Sequence, residues 1–185
     1  MVNMLALVMR FPFAAFLVTF FTFSFSGCSH YQLGTEGRLT FTRLYIAPVA
    51  NEAALPQATA LFSTALREKF LRDNRVTLVD SPEQAEATLS VSLTRLSRAV
   101  ATARPDDTGL ARKFEITLNA VCTLRDNRTG TALFEKRPVD AMRQLFTTPT
   151  PYTRESDQIQ GEYNLMPQLA DVLADRVAHA VLDVW

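Results

Sequence analysis

The chain has 185 residues, 19 basic and 19 acidic, with two cysteines and two histidines. Seven of its thirteen phenylalanines fall between Phe11 and Phe25, and residues 1–27 hold one basic side chain, Arg10, and no acid. Residues 28–185 carry 18 basic against 19 acidic side chains, enough chain for one domain with its own core and no disulfides. That balance supplies no broad cationic field and argues against nucleic acid as a partner. Sixteen of the 19 basic residues are Arg, whose planar fork suits a local grip on phosphate or carboxylate.

The apolar run Phe11–Phe25 is too short to span a bilayer comfortably and fits the h-region of a signal peptide. It ends in Phe25-Ser26-Gly27-Cys28, which resembles a bacterial lipobox: small residues before a cysteine that is acylated and becomes the new N-terminus. Phe25 stands where that pattern usually has Leu. Residues 1–27 are thus expected to be a lipoprotein signal peptide, with residues 28–185 one periplasmic domain anchored by lipid on Cys28. Ser29, not Asp, follows the cysteine, which resembles the signal for the outer membrane. Acyl chains contribute about 0.8 kcal/mol per buried CH₂, so several of them tether the domain durably without a transmembrane helix.

In the rest of the chain, Arg43–Val49 reads as a first strand that Pro48 ends or pushes to an edge. Residues 56–73 have helical spacing, with Ala58, Leu61, Phe62, Ala65, Leu66 and Phe70 mostly on one stripe. Val76–Val79 is a short strand, and Asp80-Ser81-Pro82 opens one turn through Ala85. Leu89, Val91 and Leu93 then alternate with Ser and Thr in a long half-buried strand, and the alternation slips at Arg95-Leu96, which predicts a bulge. A loop over 103–111 leads into the clearest strand, Lys113–Arg125. Asp126–Gly130 is a hairpin turn, and Thr131–Val139 returns as the last strand.

Two prolines keep 147–152 extended or looped. From Asn164 the steps Leu165, Leu169, Val172, Leu173, Val177 and Val181 mark a helix. Pro167 fits near its start; a helix beginning near Ser156 would have to kink there. The order predicts an α/β two-layer sandwich: a four- to five-stranded mixed sheet with two helices packed on one face and a Ser/Thr/Asn-rich face left open.

Catalytic chemistry is poorly supplied. There is no HExxH, Gly-x-Ser-x-Gly, phosphate-binding loop or Cys/His cluster, so no enzyme, metal or cofactor is expected. Cys122 lies on the apolar face of its strand and behaves as a small hydrophobe. His179 reads as a helix surface residue, and the pairs Glu83/Glu86 and Asp171/Asp175 as solvated faces. The unusual feature is the gathering of Arg95, Arg98, Arg104, Arg112 and Lys113 at the long hairpin, with Arg143 and Arg154 flanking the Pro-rich segment. This pattern suits a phosphorylated or carboxylated partner such as a lipid head group.

Gly27-Cys28-Ser29-His30-Tyr31-Gln32-Leu33-Gly34 resembles the opening of the lipopolysaccharide-assembly lipoproteins (LptE-like). Ile46-Ala47-Pro48-Val49, Leu66-Arg67-Glu68, Val76–Asp80 and Thr123-Leu124-Arg125-Asp126 follow in the family's order. Ser29 and His30 depart from it, since the family often has Gly and an aromatic there. The resemblance implies a lipid-anchored protein of the outer membrane's periplasmic face that plugs an LptD-like β-barrel, supports its assembly and helps pass lipopolysaccharide outward. It also implies lipopolysaccharide contacts near Arg104 and Arg154, with Arg112 and Lys113 beside them. The strand-helix-strand opening around Ile-Ala-Pro-Val also resembles outer-membrane lipoproteins that activate peptidoglycan synthases or build secretion assemblies.

Overall fold

The computed structural model describes residues 39–102, 113–146 and 156–183. The element order is β1 (Arg43–Ile46), β2 (Ala50–Asn51), α1 (Pro56–Arg72), β3 (Thr77–Val79), β4 (Ala87–Thr102), β5 (Lys113–Asp126), β6 (Ala132–Phe146) and α2 (Ser156–Leu182). The strands form one mixed sheet in the order β3-β1-β4-β5-β6, with β2 also paired to β4. β1 runs parallel to β3 and β4, whereas β4, β5 and β6 form an antiparallel meander. The predicted α/β two-layer sandwich is this fold, with one strand more than expected. The addition is β2, two residues resumed after Pro48 interrupts the first strand.

α1 begins on Pro56, whose missing N–H costs nothing at a first helical position. Leu55 ahead of it donates its N–H to Asn51 Oδ1 at 3.0 Å. Ala58, Phe62, Leu66 and Phe70 then recur at four-residue steps and are fully buried. Each large apolar side chain buried this way contributes about 1.5–3 kcal/mol relative to exposure. α2 packs against α1, β5 and β6, and its Leu169, Leu173, Val177 and Val181 have no exposed surface. These residues join Leu89, Leu93, Ile116, Leu118 and Leu124 of the sheet in one core.

Bulges interrupt the meander on both of its ladders. The slip predicted at Arg95-Leu96 is a bulge between Leu93 and Arg95: Leu93 faces Ala120, Arg95 faces Asn119, and Thr94 is the extra residue. Its hydroxyl donates to the Asn119 carbonyl at 3.2 Å. A second bulge sits in β6, where Lys136 has φ +48° and donates its N–H to Thr123 Oγ1.

β6 runs seven residues past the predicted end at Val139, and α2 starts at Ser156, ahead of Asn164. Pro167 therefore lies inside the helix. It deprives the Tyr163 carbonyl of its partner, and both residues are exposed where water can replace that bond.

Candidate functional site

Thr102 of β4, Lys113 of β5 and Phe146 of β6 lie in one cross-strand row that closes one end of the sheet. Both Arg-bearing segments of the sequence leave from this end: 103–112 joins β4 to β5, and 147–155 joins β6 to α2. Lys113 is half-buried, its ammonium 5.7 Å from the centroid of the exposed Phe146 ring, a weak cation–π contact. Cys28, Arg104, Arg112 and Arg154 fall outside the described residues.

The other two arginines expected at this hairpin, Arg95 and Arg98, are three residues apart on β4 and so lie on opposite faces, and the bulge at Thr94 sets which takes which. Arg98 faces Ile116 in register and so lies on the helix-bearing side. Its Nε and Nη2 meet the Glu162 carboxylate at 2.6 and 2.7 Å. It serves as a clamp on α2 and not as an open cation. Arg95 lies on the opposite, open face and makes no ion pair among the described residues.

Arg95 stands in a row with Asn119 of β5 and Asp140 of β6. With Ser97, Val121 and Pro138 these line a shallow concavity of about 470 Å³. Met142 and Phe146 are exposed farther along the same face of β6. The open face is therefore polar at its centre and apolar toward the row that closes it. Arg143 is half-buried and turns its guanidinium to the Met142 carbonyl at 3.2 Å.

The other end of the sheet is stitched by Glu86, read from the sequence as part of a solvated face, and by groups that sequence reasoning passed over. Glu86 accepts the Thr42 N–H at 2.7 Å and the Thr42 hydroxyl at 3.1 Å, and meets Arg43 Nη2 at 3.5 Å. The Thr42 N–H above all holds its carboxyl below the usual carboxylate range. Asn127 donates to the Pro82 and Ala85 carbonyls at 3.1 and 3.0 Å. Asp126 is buried, and the Arg128 guanidinium holds its carboxyl low. Arg128 also reaches the Thr40 carbonyl at 2.7 Å. A Glu close behind a turn proline and an Asn inside a hairpin turn were the only signals available for this network.

Asp171 and Asp175, read as a solvated pair, both engage Lys69 of α1, at 3.0 and 3.5 Å. His179 is exposed between Asp175 and Asp183. Cys122 is buried, and desolvation pushes its thiol up to about 11, so it stays an inert apolar group as its strand position implied. Among the described residues no cluster of His, Cys, Asp or Glu has the makings of a metal site.

No curated protein matches the chain in sequence. Among solved structures, a hypothetical protein of Chlamydia trachomatis is similar with a TM-score of 0.54 at 11% identity, covering 77% of this chain and 96% of that one. A minor lipoprotein of Acinetobacter baumannii aligns with a TM-score of 0.51 at 15% identity, covering 78% and 93%. Lipoprotein B of Nitrosomonas europaea aligns with a TM-score of 0.50 at 17% identity, covering 78% and 89%. At these identities the likeness is one of fold.

The family is given by the sequence itself. Residues 41–181, from the strand that opens the sheet to the end of the C-terminal helix, match the profile of the lipopolysaccharide-assembly family LptE, and the chain belongs to that family.

Proposed function

We propose that this protein is an outer-membrane lipoprotein, acylated on Cys28, that plugs and supports assembly of an LptD-like β-barrel. It helps pass lipopolysaccharide to the outer leaflet by contact, without catalysis. The family match over residues 41–181 carries the reading. The geometry supports it in two ways. The open sheet face, with Ser97, Thr117 and Asn119 along its centre, suits the wet lumen of a barrel. The segments holding Arg104, Arg112 and Arg154 leave from one end of the sheet, beside Lys113, where a phosphorylated glycolipid would meet several cations at once.

The test is a mild-detergent pull-down of the full-length lipoprotein from its native envelope, with mass spectrometry of what accompanies it. A large β-barrel recovered in near-equal amount is expected. Recovery of a peptidoglycan synthase, or only of further copies of the chain, would overturn the reading. In the same preparation Cys28→Ala is expected to leave the membrane fraction; retention of that variant in the outer membrane would refute the anchor.

A further inference from the structure

The sheet has two edges, and they are unequal. β3 is three residues long, whereas β6 is fifteen. A long unpaired edge is a template for another strand, and above all for the same strand of a second copy. The pairing capacity of the β6 edge depends on which of its residues point their backbone groups outward.

Register and side-chain hydrogen bonds fix that direction. The carbonyls of Thr117 and Asn119 accept the hydroxyls of Ser97 and Thr94, so odd-numbered β5 residues turn their backbone groups toward β4. The even-numbered ones therefore turn toward β6. Leu118 and Ala120 face Ala141 and Val139, so the odd positions of β6 are spent on β5. Pro138, Asp140, Met142, Gln144 and Phe146 direct theirs to the outside.

The first three of these each set an obstacle before an incoming strand. Pro138 has no N–H to give. The Asp140 carbonyl accepts Arg176 Nη1 of α2 at 2.6 Å, and the same nitrogen holds the Asp140 carboxylate at 3.1 Å. The Met142 carbonyl accepts Arg143 Nη1 at 3.2 Å. An added antiparallel strand exchanges both an N–H and a carbonyl with every outward residue it meets. Pro138 fails that requirement outright, and at Asp140 and Met142 an incoming N–H must share the carbonyl with a guanidinium or displace it. The two outward positions left clear are too few for a strand of ordinary length. The bulge at Lys136 displaces the edge on the other side of Pro138.

We infer that Pro138, Arg143 and Arg176 close the β6 edge to the β6 of a second copy of this chain. The inference rests on strand register and on the contacts of these three residues, and stands whether or not a barrel is the partner. Its test uses the full chain in mild detergent, comparing the native protein with the triple variant Pro138→Val, Arg143→Ala, Arg176→Ala by sedimentation velocity and amide hydrogen exchange. The native protein is expected to sediment as one copy, with the outward amides of Asp140 and Met142 exchanging fast. The variant is expected to double in protein mass as concentration rises, with those two amides becoming protected.

A native dimer with the same amides protected would overturn the inference, and so would a folded variant that stays single. If loss of Arg176 unfolds α2, Pro138→Val with Arg143→Ala gives the same readout with that contact intact. The double variant is then expected to dimerise more weakly than a folded triple variant would, and its failure to pair at all would count against the closure.

Discussion

The guanidinium of Arg98 and the carboxylate of Glu162 form a two-pronged ion pair, 2.6 and 2.7 Å across, between the later part of β4 and the first turns of α2. Arg98 is half exposed while the Glu162 side chain keeps only 12% of its surface, so the pair is partly shielded from water and from salt. Arg98→Gln is expected to lower stability by about 1 kcal/mol. Urea unfolding checks the size. Amide exchange checks the place, with the loss confined to the helix ahead of Pro167.

The same helix turns are held close to the sheet by the absence of a side chain. A Cβ at Gly161 would come within 2.7 Å of Leu145 Cδ1. In an ordinary exposed helix position Gly→Ala gains about 1 kcal/mol. Here Gly161→Ala is expected to gain nothing in the native chain, because Leu145 is buried and must move. In a Leu145→Ala background the same change should stabilise by about 1 kcal/mol. Equal effects in both backgrounds, read from thermal melts, would show that Leu145 has room to turn aside.

Acid should loosen the stitched end first. The carboxyls of Glu86 and Asp126 lie below their ordinary values in the folded protein, the first through the Thr42 N–H and the second through Arg128. A depressed folded value means that the unfolded chain binds the proton more readily. The stabilisation is therefore complete above the unfolded value of about 4 and disappears as pH falls through the folded one. Melting temperature is expected to be flat from pH 7 to about 5 and to drop below that. Glu86→Gln and Asp126→Asn should be less stable at pH 7 and less sensitive to further acidification.

For the lipid contact, Arg104→Glu combined with Arg154→Glu is expected to weaken lipopolysaccharide binding by at least about tenfold, the worth of one lost charge-assisted contact. Circular dichroism should be unchanged. Arg98→Gln serves as the comparison: its guanidinium already belongs to Glu162, so binding should stay within about twofold of native. Equal loss in both variants would assign the effect to general charge and not to the sheet end.

Period-two and helical patterning were enough to place most elements. The alternation from Phe114 to Leu124 set β5 and predicted the burial of Cys122, and the break at Arg95-Leu96 located the bulge within a residue. The far half of β6 was harder to read. Its inward positions are Val139, Ala141, Arg143 and Leu145, and Arg143 puts a charge where the pattern needs an apolar residue. Pairing with β5 outweighs that local signal. Pro167 misplaced the helix start for a similar reason, because a lost hydrogen bond matters little where the carbonyl meets water. Sequence proximity gathered Arg95 and Arg98 into one cluster, but an odd spacing of three residues puts them on opposite faces, and the residue inserted between Leu93 and Arg95 gives the helix side to Arg98. Ion pairs such as Lys69 with Asp171 join residues about a hundred positions apart and have no local signature.

β4 has one further consequence. Sixteen nearly extended residues span about 50 Å. The chain enters the domain beside Thr40 and Thr42 at the stitched end, whereas the segments holding Arg104 and Arg154 leave at the opposite one. From Cys28 to Leu39 there are only eleven residue steps, at most about 40 Å when fully stretched. A lipid on Cys28 would thus keep the stitched pole near its own leaflet. The arginine pole would have the longer reach, greater than that of the stitched pole by up to the length of β4.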